Sequence, residues 1–191
     1  MKIEKTKING PLIIAPDIFG DERGFFVETY NKERYKANDI SDDFVQDNLS
    51  RSAKGVLRGL HFQKRPHAQG KLVQVIVGSV LDVAVDIRYG SPTYGQWVSV
   101  ELSADNKKQF WIPEGFAHGF VALEDDTIFS YKCTDVYVKD AEGALMWNDP
   151  TIAINWQLKK YGITMPIVSE KDQDNMVFDD LEQAFMYEAV K

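Results

Sequence analysis

At 191 residues, with 44% of them hydrophobic, the chain carries enough apolar material for one substantial core and too little length for two comfortable ones. Its 22 Lys and Arg stand against 29 Asp and Glu, and the net charge of −7 argues against nucleic acid or an anionic membrane surface as the main partner. Cys133 is the one cysteine, which excludes a disulfide framework or cysteine zinc site, and the N-terminus has no apolar run of the signal-peptide kind, so a cytoplasmic protein is expected.

Short runs of Val, Ile, Phe, Tyr and Trp alternate with turn residues, a spacing that predicts an all-β sandwich or barrel. In chain order, strands are expected over 24–30, 44–50, 56–63, 71–77, 80–88, 96–102, 109–112, 116–123 and 127–134. A short helix is expected over 31–37, with Asn31 as its N-cap. Gly78-Ser79, between two apolar runs, reads as a hairpin turn. From Leu81 to Arg88 the period is two, which puts Asp82, Asp86 and Arg88 on one face and the aliphatics on the other. The stretch 165–177 is irregular but has Trp156 and Phe178 on either side, so it is expected to pack against the barrel. Leu181, Ala184 and Phe185 behind acidic starters predict a helix over 179–187. No repeat or linker divides the chain, and 1–191 reads as a single domain with a packed C-terminal flank over 165–191.

The chemistry begins in Val56-Leu57-Arg58-Gly59-Leu60-His61-Phe62-Gln63, where an arginine and a histidine interrupt a strand-like apolar run. An imidazole there is a candidate proton-transfer group because it titrates near neutrality; a core histidine satisfied by one hydrogen bond is the alternative. Arg58 and His61 are three apart, so a regular strand would point them to opposite faces. For both to serve one cavity, an irregularity at Gly59-Leu60 is required.

Pro113-Glu114-Gly115-Phe116-Ala117-His118-Gly119-Phe120 resembles the second motif of the cupin superfamily, a β-barrel with a ligand cavity at its mouth. Metal-binding cupins place two histidines and a glutamate in the first motif. Here Gln69 stands two residues after His67, and Lys71 falls near the expected glutamate. A lysine cation repels a metal ion, so no bound metal is expected. A cation at Lys71 with imidazoles at 61 and 118 suits an enolate, whose charge needs preorganised donors in a dry cavity. Tyr131 is a candidate acid for the opposite face, or else an aromatic of its strand. Asp172 is a candidate to orient His61, or else a solvated loop charge.

Arg23-Gly24-Phe25-Phe26-Val27-Glu28, Phe44-Val45-Gln46-Asp47-Asn48, Val56 to Gln63, Lys71-Leu72-Val73, Pro113 to Phe120, Tyr131-Lys132, Trp147-Asn148-Asp149-Pro150 and Ser169-Glu170-Lys171-Asp172 follow one another in this order. Together they resemble the dTDP-4-dehydrorhamnose 3,5-epimerase family, metal-independent enzymes with a cupin-type jelly-roll barrel, from about Pro11 to Leu181. That resemblance implies His61 as general base with Asp172 as its partner, Tyr131 as general acid, and Lys71 against the C4 oxygen. It implies that His118 and Arg58 line the sugar and phosphate site. Arg23, Phe26, Glu28, Gln46, Asn48, Glu142 and Lys171 would bind the nucleotide-sugar, and Tyr137 would stack on thymine. The implied reaction inverts C3 and C5 of dTDP-4-dehydro-6-deoxy-α-D-glucose through enolates, with no cofactor. The implied assembly is a homodimer whose N-terminal strands complete the partner's site. The same resemblance admits a 3-epimerase or a 3,4-ketoisomerase; a metal cupin or a sugar-binding module without turnover stands further off.

Overall fold

The computed structural model describes residues 1–40 and 43–188. Strands β1 (Lys2–Lys5) and β2 (Leu12–Ala15) start the chain, followed by a separate hairpin of β3 (Ile18–Asp21) and β4 (Gly24–Val27). Helix α1 (Lys32–Lys36) comes next, and the Asn31 side chain caps it by accepting from the Arg34 N–H at 3.1 Å. Then come β5 (Gln46–Ser52), β6 (Val56–Gln63), β7 (Lys71–Val77), β8 (Ser79–Asp86), β9 (Trp97–Ser103), β10 (Gln109–Ile112), β11 (Phe116–Ala122) and β12 (Thr127–Cys133). The C-terminal part adds β13 (Glu142–Ala144), β14 (Ile167–Val168) and the four-residue helix α2 (Glu170–Gln173).

Two sheets result. One runs β1-β2-β10-β7-β12-β5; the other runs β13-β6-β11-β8-β9, with β14 parallel to β6. Consecutive strands from β5 onward mostly alternate between the sheets, the jelly-roll pattern. Among the described residues no strand belongs to both sheets, so the expected barrel is an open sandwich. Val73, Val75, Phe110 and Phe129 from the first sheet meet Val80, Ala84, Val100 and Phe120 from the second, forming the core between them. Each fully buried phenylalanine in it is worth about 2–3 kcal/mol of transfer free energy.

Both outer faces are also partly covered. Tyr35 and Ile40 pack with Ile14, Leu72 and Trp111 over the first sheet. Trp156, Phe178 and Phe185 pack with Leu81, Val83 and Val85 over the second. The 165–177 stretch is therefore packed, as its flanking aromatics suggest, and contains β14 and α2. Among the described residues no helix is long and apolar enough to cross a membrane.

Two expectations are corrected. The helix over 179–187 does not form; Phe178–Asp180 makes one 3-10 turn, and the chain then runs extended, exchanging backbone bonds with Tyr89 through Phe185 and Tyr187. The apolar residues at 181, 184 and 185 are used one-sidedly by that strap, which imitates helical spacing. Gly78-Ser79 does turn the chain, with φ +78° at Gly78, but β7 and β8 enter different sheets and form no hairpin. A turn motif specifies a change of direction, not which neighbour supplies the hydrogen bonds. The period-two split of β8 holds, with Leu81, Val83 and Val85 in the outer cluster and the Asp82 face shared with Val80 and Ala84 in the inter-sheet layer, and every residue of the strand is buried. The last three residues of the C-terminal flank, 189–191, lie outside the described residues.

Candidate active site

Between the two sheets the packed core gives way to a hollow with two adjoining lobes, about 290 and 220 Å³, a size suited to a small-molecule ligand. His61, Lys71 and Tyr131 line both lobes. Strand register explains why they meet. Lys71 on β7 lies beside Cys133 on β12, which lies beside Gln46 on β5; the next row holds Val73, Tyr131 and Asn48. Period two then turns Lys71, Tyr131, Gln46 and Asn48 toward the same interior face. The other wall is β6 and β11, where His61 and His118 are direct cross-strand partners.

Arg58 joins this wall through a register shift. On β11 only Gly119 separates His118 from Phe120, yet their β6 partners, His61 and Arg58, are three apart. The shift centres on Gly59-Leu60, whose peptide bond is cis, and both Arg58 and His61 line the second lobe. Gly59 is required there: its φ is +131°, and a Cβ would come within 2.5 Å of the Gly119 Cα.

Two His–Asp pairs border the hollow. His61 Nε2 lies 2.7 Å from Asp172 Oδ1, and the Ser169 hydroxyl caps α2 by accepting from the Asp172 N–H. Burial pushes the Asp172 carboxyl up, but His61 above all, with the polar side chains of Ser169 and Asn175 nearby, outweighs it and holds the group below its ordinary value. An ionised carboxylate only accepts, so His61 carries its proton on Nε2 and leaves the Nδ1 lone pair free. The second pair, His118 Nε2 with both oxygens of Asp82 at 3.0 Å, is deeper. Burial raises Asp82 and lowers His118, each toward its neutral form. Asp82 carries no role in the sequence reading, although the period-two pattern already placed it on a polar face.

Burial lowers Lys71, while Cys133, Asp82 and Glu142 favour its charged form. Burial also raises the Tyr131 phenol, which keeps it protonated near neutrality and able to donate. At the mouth of the first lobe, Lys171 Nζ lies 2.6 Å from Glu142 Oε2, and the Tyr137 hydroxyl donates to the same oxygen at 3.0 Å. Gln46 accepts from the Tyr137 N–H at 2.8 Å and donates to Asn48 at 3.0 Å. Phe120 and Phe129, stacked at 4.2 Å, close the second lobe from the core side. Among the described residues no three His, Cys, Asp or Glu side chains converge as metal ligands.

Thus His61, Lys71, Tyr131, Asp172, His118, Arg58, Gln46, Asn48, Tyr137 and Glu142 line one hollow, with Lys171 at its rim. Arg23, Phe26 and Glu28 do not join them. Arg23 pairs with Asp21 within the β3–β4 hairpin, Glu28 pairs with Arg34, and Phe26 is 67% exposed.

Comparison with known proteins bears on this geometry. The family model described as dTDP-4-dehydrorhamnose 3,5-epimerase matches residues 5–180. A dTDP-4-dehydrorhamnose 3,5-epimerase of Shigella flexneri is 51% identical over 183 residues, covering 95% of this chain and 98% of its own. Its counterpart in Salmonella typhimurium is 53% identical over 175 residues, covering 90% and 92%. Among solved structures, a dTDP-6-deoxy-D-glucose-3,5-epimerase from Legionella pneumophila in complex with dTDP-4-keto-L-rhamnose superposes with a TM-score of 0.93. It is 50% identical and covers 98% of this chain and 99% of that one.

Proposed function

The chain belongs to the dTDP-4-dehydrorhamnose 3,5-epimerase family, and from that membership we propose how its own residues carry out the reaction. It is an isomerase acting on a carbohydrate: it inverts C3 and C5 of dTDP-4-dehydro-6-deoxy-α-D-glucose to give dTDP-4-dehydro-β-L-rhamnose. The C4 ketone makes both neighbouring C–H bonds acidic, because the electron pair left behind can move onto the carbonyl oxygen.

His61 Nδ1 removes the proton, and Asp172 stabilises the imidazolium that results. The C4 oxygen becomes an enolate beside the Lys71 ammonium. Tyr131 then delivers its phenolic proton to the opposite face of the same carbon, and the electron pair returns from oxygen. One inversion leaves His61 protonated and Tyr131 ionised, so proton exchange with water resets both before the second carbon is inverted. His118 and Arg58 line the sugar and phosphate end of the hollow, while Gln46, Asn48, Tyr137, Glu142 and Lys171 serve the nucleotide.

The active assembly is a homodimer in which the β3–β4 hairpin of one subunit reaches the partner's site with Arg23, Phe26 and Glu28. Phe19, Phe25 and Phe26, 61–67% exposed on so short a hairpin, support that reading, since large apolar groups gathered on an arm call for cover. Light scattering on the purified protein should give twice the monomer mass; a monomer of full activity would remove the shared site.

The observation that carries the mechanism is that an aspartate-oriented imidazole, a half-buried phenol and a lysine line the same hollow. Turnover in deuterated water, followed by NMR, tests it. Deuterium should appear at both C3 and C5. Label at C3 alone would reduce the reaction to a single inversion.

A further inference from the structure

Residues 134–138, which present Tyr137 at the mouth of the first lobe, make a flap held in large part by side-chain carboxamides. Gln46 accepts from the Tyr137 N–H, and Gln69 Nε2 donates to the Asp135 carbonyl at 2.7 Å. The third carboxamide, Gln63, closes the run Val56–Gln63 and has been given no role so far.

Gln63 is 4% exposed, and its side chain is fully committed. Its Oε1 accepts from the Val138 N–H at 2.7 Å. Its Nε2 donates to the His67 carbonyl at 2.7 Å and to the Val136 carbonyl at 3.1 Å. One N–H faces the oxygen and two carbonyls face the two amide hydrogens, so only a carboxamide in this orientation satisfies all three. A carboxylate would keep the first bond and set an anion against two carbonyl oxygens. An aliphatic side chain would leave three partly buried backbone groups without this partner, at a cost that grows with how far each is shielded from water.

The partners lie on two different segments. His67 belongs to the 64–70 loop, which leads into Lys71; Val136 and Val138 flank Tyr137. Gln63 also lies opposite Glu142 in the β6–β13 pairing. One buried amide therefore ties the flap bearing the nucleotide-side aromatic to the loop that runs into the lysine of the reaction site.

We propose that Gln63 is a positioning residue for nucleotide recognition: it holds the 134–138 flap at the height where Tyr137 and Glu142 meet the nucleotide moiety. This rests on the reading of the first lobe as the nucleotide end of the site. Gln63 sits beside the binding groups and takes no part in proton transfer, so its loss acts on affinity far more than on the chemical step.

The experiment measures dTDP affinity by calorimetry, and KM and kcat with the dTDP-sugar, for wild type, Gln63→Met, Gln63→Glu and Gln69→Leu, with thermal unfolding recorded for each. Gln63→Met and Gln63→Glu should weaken dTDP and raise KM by about tenfold or more, with kcat changed by less than about threefold. Gln69→Leu, which loses one flap bond, should shift affinity in the same direction by a smaller factor. A folded Gln63 variant with wild-type dTDP affinity overturns the proposal, as does one whose kcat falls while dTDP binding is kept. Should neither Gln63 variant fold, unchanged dTDP affinity in Gln69→Leu overturns it instead. Failure of the wild type to bind dTDP would instead strike the functional reading of the lobe.

Discussion

The two His–Asp pairs bordering the hollow have the same chemistry and different surroundings. The His61 side chain is 30% exposed with Asp172 at 7%, whereas His118 is 8% exposed and Asp82 is fully buried. Asp172 comes from a short C-terminal helix against β6, and its carboxyl is held below its ordinary value chiefly by the bond with His61. Asp82 comes from the middle of β8, where burial opposes its charge and that of His118 alike. A proton acceptor must change charge during each turnover, and charging is cheap only where water and a stable counter-ion are at hand. The outer pair meets that condition. The inner pair, buried and pushed toward its neutral forms, does not.

The sharpest way to test this contrast is to remove each member in turn. His61→Ala should lower turnover by about 10³-fold, read from solvent deuterium incorporation at C3 and C5. Retention of exchange near the wild-type rate would move the base elsewhere. Tyr131→Phe should cost about 10²-fold in inversion while leaving C3 exchange faster than inversion, because His61 can still take a proton and return it to the same face.

The aspartates separate the pairs directly. Asp172→Asn should lower kcat by about 10²-fold with little change in melting temperature, because the imidazolium loses its counter-ion. Asp82→Asn should lower kcat by no more than about tenfold and cost about 2 kcal/mol of stability, or roughly 4–8 °C in Tm. Equal losses of kcat in the two variants would erase the distinction.

The smallest effect is in the pH dependence of stability. His118 is depressed in the folded protein, so as pH falls below about 6.5 the unfolded chain takes up that proton first and stability declines. Asp172 is depressed too, but for an acid the sign differs: its contribution is complete above about 3.9 and is lost as pH falls through its lowered folded value. Tm recorded from pH 7 to 3 should therefore begin to fall early, and His118→Gln should flatten that first decline without changing the acid limb.

Much of this was readable before any coordinates. Short apolar runs between turn residues located nine of the described strands, three of them with identical ends (β6, β7 and β10), because most of these strands are buried between the sheets and need apolar side chains. The five described strands that were missed, β1 to β3, β13 and β14, are two to four residues long, too brief for alternation to register. The demand for an irregularity at Gly59-Leu60 followed from spacing once the family resemblance put Arg58 and His61 in one site, since residues three apart on a regular strand cannot share a face.

Other features depend on contacts between segments far apart in the chain. Asp82 had the pattern of a polar face, but only the stacking of the two sheets makes that face interior, and the pairing of β8 with β11 brings it to His118. The final segment has helical spacing, yet backbone bonds to Tyr89 draw it out as a strap. Gln63 closes a strand like any polar residue until two loops fold back around its amide. Local sequence determined which residue types were present and which way each strand faced. Tertiary structure decided which of them lost water together, and burial is what separates the two His–Asp pairs.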